Sequence, residues 1–270
     1  MPVVGTNTAA NSAIRFLNNN SMAASTSVAK LASGSRIVRA SDDAAGLAIS
    51  TKLTGDVTAL KQAATNASQA ASILQVADGG LARVSDVLQR MKALASQSLS
   101  GSVTDTERAY INAEFTALDA EILGIETTTT FNGDALIDGT FNENFFVGLG
   151  AAGVVNNITA NLTTVNVAAV TGDVSTAGTA ATAFTNVTAR INTIATGRAT
   201  VGALISRFET RGQQVATSIE NIEAANSKLK DVDLAAEQSK LVTANVLTQA
   251  AVSALSQANQ IPQTLLRVLQ

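Results

Sequence analysis

The 270-residue sequence contains no cysteine, no histidine, no tryptophan and only two prolines. Without cysteine there is no disulfide, no thiolate metal site and no cysteine nucleophile. Without histidine the commonest general base near neutral pH and the commonest metal ligand are missing, which excludes Ser-His-Asp triads and histidine-containing zinc sites. Aromatic residues make up 3% of the chain although apolar residues reach 46%. Rings supply much of the area of a large round core, roughly 150–250 Å² each. A chain rich in Ala, Val, Leu and Ile but poor in rings suits long helices packed closely along their length. The net charge of −3 gives no electrostatic hold on nucleic acid. No run approaches the ~18 uninterrupted apolar residues of a membrane span. Met1-Pro2-Val3-Val4-Gly5-Thr6 lacks the basic and apolar regions of a cleavable secretory signal, so none is expected.

The prolines lie near the ends, at Pro2 and Pro262, which leaves the interior open to very long helices. Apolar spacing shows where they run. Ala10, Ile14, Leu17, Ser21, Ala24, Val28 and Leu31 form a first stripe that stops at Ser33-Gly34-Ser35. Charges then gather at Arg36, Arg39, Asp42 and Asp43, with Ser41 the expected N-cap of a second helix and both acids in its first turn. That helix is expected over 42–99, roughly 80 Å long at 1.5 Å per residue. Its stripe is Leu53, Val57, Leu60, Ala64, Ala67, Ala71 and Leu74. Past Gly79-Gly80 it moves over to Val84, Val87, Met91 and Leu94, which predicts a rotated face or a kink at the glycines.

Thr104 and Glu107 form a capping-box pattern ahead of a third helix carrying Ile111, Phe115, Leu118, Ile122 and Ile125. Phe131-Asn132-Gly133 opens the main β signal, which runs to Phe145-Phe146-Val147. Residues 148–180 have no clear period and are expected to form a short connection or a few strands. From Phe184 a heptad seam runs through Val187, Ile191, Ile194, Arg198, Val201, Ile205, Phe208, Gly212, Val215, Ile219, Ile222 and Asn226 to Leu229. A last helix follows Asp231-Val232-Asp233, with Leu247, Ala251, Ala254, Ala258, Ile261, Leu265 and Val268 as its stripe.

Charge is distributed unevenly. Residues 1–35 hold only Arg15 and Lys30, and residues 241–270 only Arg267. A solvated helix face normally carries Lys and Glu. These terminal helices offer Ser, Thr, Asn and Gln instead, as expected of surfaces that pack against neighbours.

Leu31-Ala32-Ser33-Gly34-Ser35-Arg36-Ile37, followed by Ser41-Asp42-Asp43-Ala44-Ala45-Gly46-Leu47-Ala48-Ile49, resembles the N-terminal signature of the bacterial flagellins. Asp231-Val232-Asp233-Leu234-Ala235-Ala236-Glu237, the closing Gln257-Ala258-Asn259-Gln260-Ile261-Pro262-Gln263 and the Phe131-Asn132-Gly133 hairpin are similar to three further motifs of that family, in the same order. The resemblance implies a mainly α fold, with long antiparallel coiled-coil helices from both halves and a small β-hairpin region in the middle. It divides the chain into an inner, channel-lining helix with its connecting segment (1–40) and the N-terminal part of a rod domain (41–130). A hairpin and short connection (131–180), a C-terminal rod helix (181–232) and a C-terminal inner helix (233–270) complete it. The larger members' outer domains find no room here.

The implied function is that of a structural subunit of the flagellar filament, not an enzyme and without cofactor or metal. The first partner is the chain itself. Subunit packing is expected at Ile14, Leu17, Val28, Leu31, Leu247, Ala251, Ala254, Ile261, Leu265 and Val268. Arg36, Arg39, Asp42 and Asp43 are expected as capping or inter-subunit charges. Further implied partners are the flagellar export apparatus with its chaperone, and the filament cap and hook-junction proteins. The implied location is outside the cell. Gln89, Arg90, Leu94 and Glu114 match positions that the host innate flagellin receptor contacts in members it recognises; read from the pattern alone, Leu94 is a seam residue and Arg90 a surface charge.

Two rival readings fit less well. A hook–filament junction protein shares both terminal segments but fits the closing motif less well. A secreted coiled-coil adhesin predicts a charged rod and a ligand module, and the sequence shows neither. Gly148-Leu149-Gly150-Ala151-Ala152-Gly153 has the spacing of a dinucleotide loop, yet strand-like VVNNITANLTTVNV follows where a helix is required.

Overall fold

A computed structural model describes the backbone of residues 6–150, 154–170 and 172–268, and side chains through residue 260. The described elements are α1 (Thr8–Ser33), α2 (Ala44–Ser98), α3 (Asp105–Thr128), β1 (Thr130–Phe131), β2 (Asp134–Ala135), β3 (Asn142–Leu149), β4 (Val155–Asn161), α4 (Ala177–Lys230) and α5 (Leu234–Val268). They group into two units. One is Asp56–Glu220; the other is built from both ends, Met1–Gly55 and Asn221–Gln270. Helices α2 and α4 contribute to both.

Within Asp56–Glu220, α2 buries Ala67, Ala70, Leu74, Ala77, Leu81, Val84, Leu88, Met91 and Ala95 at alternating three- and four-residue steps. On α4, Val187, Ile194, Val201, Phe208 and Val215 are buried, five of the expected seam positions. Arg198, also in that seam, lies at its rim and pairs with Asp78 at 2.8 Å. Asp78 faces Arg198 while the Ser98 hydroxyl donates to the Val174 carbonyl at 2.6 Å, so the two helices run antiparallel. Phe145 meets Phe208 edge-on, with ring centroids 5.7 Å apart, a geometry worth about 0.5–1.5 kcal/mol beyond the buried area. Helix α3 adds Phe115 and Ile122 to the same core.

Of the two expectations at Gly79-Gly80, the rotated face is not seen: burial continues at the same steps through Ala77, Leu81, Val84 and Leu88, and α2 runs through the glycines as one helix. Gly80 instead leaves room for a neighbour, since a Cβ there would lie 2.7 Å from Thr129 Cγ2.

The capping box of α3 forms as expected. The Thr104 amide donates to Glu107 Oε2 at 2.7 Å, and the Glu107 amide donates back to Thr104 Oγ1 at 3.4 Å. Asn132 and Gly133 both take positive φ, 55° and 93°, the two-residue turn that a tight hairpin requires. Of the two forms expected for residues 148–180, the described part takes the stranded one. Strand β4 pairs antiparallel with β3, and Gly150 N donates to Val154 O at 2.7 Å across the hairpin end. No helix follows the glycine-rich stretch, so the geometry of a dinucleotide loop is absent; Ala151–Gly153 lie outside the described residues. Beyond β4 the chain is held to α3 by Val170 N to Asp119 Oδ1 (2.7 Å) and Val174 N to Asn112 Oδ1 (2.9 Å), which commits α4 to start at Ala177.

Candidate assembly surface

The unit made from both ends is organised by the α1–α5 pair. Asn7 caps α1 by accepting from Ala10 N at 3.0 Å, and its side-chain amide donates to the Ala258 carbonyl at 2.8 Å. At the other end Ser27 Oγ donates to Glu237 Oε1 at 2.8 Å. The helices are therefore antiparallel. Along α1 the residues turned inward are Ala10, Ala13, Leu17, Asn20, Ala24, Ser27 and Leu31; along α5 they are Glu237, Leu241, Ala244, Thr248, Ala251, Leu255 and Ala258.

This seam is offset from the expected stripes. On α1 it keeps Leu17 and Leu31 but takes Ala13 and Ser27 where Ile14 and Val28 were expected. On α5 it keeps Ala251 and Ala258 but leaves Leu247 and Ala254 exposed. The side chains of Ile261, Leu265 and Val268 lie outside the described residues. The physical reason for the offset is close approach: alanine and serine let the two backbones come together, and the larger side chains turn outward. Phe16 is 57% exposed, Met22 61%, Val246 58% and Val252 52%, whereas Ala13 is 8% exposed. Small residues inside and large ones outside reverse the usual order of burial.

The segment after α1 joins the two signature motifs. Gly34 closes α1 at φ 66°, Val232 N donates to Gly34 O at 3.1 Å, and Arg36 N donates to Lys230 O at 2.6 Å. Ser35 Oγ donates to the Ile37 and Lys230 carbonyls at 3.0 and 3.1 Å. Arg36 reaches the Leu229 carbonyl at 3.0 Å and pairs with Asp43 at 3.5 Å, both groups well exposed. Arg39 makes no ion pair among the described residues.

The acids are placed differently from expectation. Helix α2 begins at Ala44, so Asp42 and Asp43 precede its first turn, and the cap is Asp43, not Ser41. Asp43 Oδ1 accepts from Gly46 N at 2.8 Å. A Cβ on Gly46 would stand 2.8 Å from Asp43 Cγ and 2.9 Å from Ile37 Cδ1, so the motif's glycine fits because both residues lie over it. Asp42 Oδ2 accepts from Val38 N and Arg39 N, each at 3.0 Å. The Arg39 and Val38 amides hold its carboxyl below the usual range. Asp233 caps α5 by accepting from Ala235 N and Ala236 N at 3.0 and 3.1 Å.

Glu237 is the functional residue that sequence reading missed, although it closes one of the motifs. It is 5% exposed and held between the helices by Lys240 (3.0 Å) and Ser27. Lys240, then Ser27, with the charge of Lys30 adding less, lower its pKa below the ordinary 4.5. A carboxylate with a depressed folded pKa stabilises fully above its unfolded value and loses that contribution as pH falls through the folded one. The α1–α5 pair should therefore lose stability on acidification below about pH 4.5, and Glu237→Gln should flatten that acid step. Proteolysis rates in the terminal helices across pH 3–7 measure both.

The remaining sequence-predicted residues lie in the Asp56–Glu220 unit. Arg90 and Glu114 pair at 2.6 Å, and Gln89 is exposed one residue away. Leu94 is 2% exposed and belongs to the core, so it offers no surface to a receptor in this fold. Among the described residues no helix is long and apolar enough to cross a membrane, and no acidic cluster could hold a metal ion.

Comparison with known proteins places these features. The model of the bacterial flagellin N-terminal helical region matches residues 4–142, and that of the bacterial flagellin C-terminal helical region matches residues 184–269. The chain is 36% identical to a flagellin of Halalkalibacterium halodurans over 89% of this chain and 90% of that one. It is 34% identical to a flagellin of Bacillus subtilis over 98% of each. It is also 34% identical to the flagellar filament 33 kDa core protein of Treponema phagedenis, over 99% of this chain and all of the relative.

Proposed function

The chain belongs to the bacterial flagellin family and is a structural subunit of the flagellar filament; from that premise we propose that it polymerises with itself through the outer faces of α1 and α5. The observation that carries this reading is the inverted burial of that pair. Ile14, Phe16, Met22 and Val28 on α1 and Val242, Val246, Leu247 and Val252 on α5 are all exposed, on helices almost free of charge. Exposed apolar surface of this extent marks an interaction site. Uncharged neighbours let a second subunit cover it without stranding an ion. Arg39 lines a groove with Met22 of this surface, and on this reading it and Arg36 meet carboxylates of adjoining subunits. On the same reading the subunit leaves the cell uncut through the flagellar export apparatus with a chaperone, and joins the filament beneath its cap beyond the hook-junction proteins.

Trypsin tests the surface assignment. Cleavage after Arg15, Lys30 and Lys240 should be at least about tenfold slower in assembled protein than in monomer. Equal rates in both forms would show that these faces stay open after assembly.

A further inference from the structure

Where strand β4 meets α4, a groove of about 260 Å³ is lined by Ile158, Ser206, Arg207, Thr210, Arg211 and Gln214. Its polar side chains form two rows along the helix. Ser206, Thr210 and Gln214 follow one another at steps of four residues, and Arg207 and Arg211 repeat that step one residue on. Residues four apart share a helix face. None of the six is an acid, although the chain as a whole carries a net charge of −3. Glu209, the nearest acid in sequence, lines a different groove, beside Phe208 and Gly212.

The donors of this groove are unused. From Thr182 to Thr200, and again at Thr217 and Ser218, every hydroxyl of α4 donates to the carbonyl four residues earlier. Ser206 and Thr210 make no hydrogen bond among the described residues. Arg207 likewise has neither a hydrogen bond nor an ion pair there, and Arg211 donates only to Gln214 Oε1, at 2.9 Å. That bond occupies the carbonyl oxygen of Gln214 and leaves its amide N–H groups free. Two cations four residues apart on one helix repel each other, and among the described residues no carboxylate neutralises them.

We propose that this groove binds a phosphate monoester, with Arg207 and Arg211 on the phosphate and Ile158 against the organic part. The donor set selects the ligand class. Two guanidinium forks, two hydroxyls and a carboxamide offer more N–H and O–H groups than the two oxygens of a carboxylate accept. A phosphate monoester presents three strong acceptor oxygens and close to two negative charges, and arginine meets phosphate with paired N–H donors. Ile158 gives the groove an apolar wall, which a carbon skeleton can cover and a free anion cannot. The site does not rest on the filament reading, since none of these residues belongs to α1 or α5.

The test is phosphorus NMR of glycerol 3-phosphate titrated with the full-length chain, held monomeric as checked by sedimentation, above the second phosphate pKa of about 6. Binding should show a Kd of about 1 mM or lower. Inorganic phosphate should bind about threefold more weakly or worse, because it leaves Ile158 uncovered; equal binding of the two would overturn the ester in favour of the free anion. Arg207→Gln with Arg211→Gln should weaken binding of the ester at least about tenfold. Ser206→Ala with Thr210→Val keeps every charge and should still weaken it about threefold or more, whereas diffuse attraction to positive charge would ignore that change. Arg83→Gln, at an exposed arginine of α2, should leave binding as it was. Circular dichroism checks that each variant keeps its helices. No response to either phosphate, a hydroxyl variant that binds as well as the starting chain, or acetate binding as tightly as the ester overturns the site; the last would assign the two arginines to a carboxylate.

Discussion

A chain truncated at Thr243 is expected to remain a soluble helical monomer and to form no filaments. The truncation removes Ala244, Thr248, Ala251, Leu255 and Ala258, the part of α5 that faces Ala10, Ala13, Leu17 and Asn20 of α1. It leaves the other unit untouched, because the core from Ala67 to Phe208 draws every member from within Asp56–Glu220. Circular dichroism should retain most of the helical signal, and electron micrographs should show no polymer at any concentration. Filaments of normal appearance from the truncated chain would mean that the terminal pair is dispensable.

Ala254→Asp should separate folding from assembly in one substitution. Ala254 is exposed beside Leu247 and outside the α1–α5 seam. An exposed change of this kind alters monomer stability by about 0.5 kcal/mol or less. Covered by a neighbour, the same carboxylate would lie unpaired on a surface almost free of charge, at a cost of several kcal/mol. Each 1.4 kcal/mol is about tenfold in an equilibrium constant, so the critical concentration should rise by roughly two orders of magnitude or assembly should cease. Ala251→Asp provides the contrast. It lies within the seam and is buried, so it should destabilise the monomer's terminal helices as well. An unchanged critical concentration for Ala254→Asp would show that this face remains in solvent.

What the sequence made legible depended on whether one partner or several compete for a surface. The α4 seam from Val187 to Val215 was readable because large aliphatics meet a single dominant core. The Thr104–Glu107 box and the Asn132-Gly133 turn were readable because their chemistry is local. The frame of α1 was not. Its stripe through Ile14 and Val28 and the seam through Ala13 and Ser27 differ by one residue, and the helix bears both. Hydrophobicity selects the first; the pair within the chain selects the second, because small residues pack closer. Asp43 displaced Ser41 as the cap of α2 because both acids lie before the helix begins. Glu237 could have been found by asking why a nearly neutral helix pair keeps one glutamate. Its burial depends on Ser27, 210 residues away in sequence, and no local pattern reports that. Strand β4 was legible as a strand, because Asn157, Thr159 and Asn161 alternate with Ile158 and Ala160; its antiparallel pairing with β3 was not, since no local pattern reports a register.

The central claim is that this chain assembles with itself. The most direct measurement is electron microscopy of the purified full-length protein, left to polymerise over a range of concentrations above and below a threshold fixed by sedimentation. The claim predicts that monomer alone persists below a critical concentration and that uniform filaments take up all further protein above it. Protein that stays monomeric, or forms only irregular aggregates, at every concentration and in the presence of preformed filament seeds would contradict it.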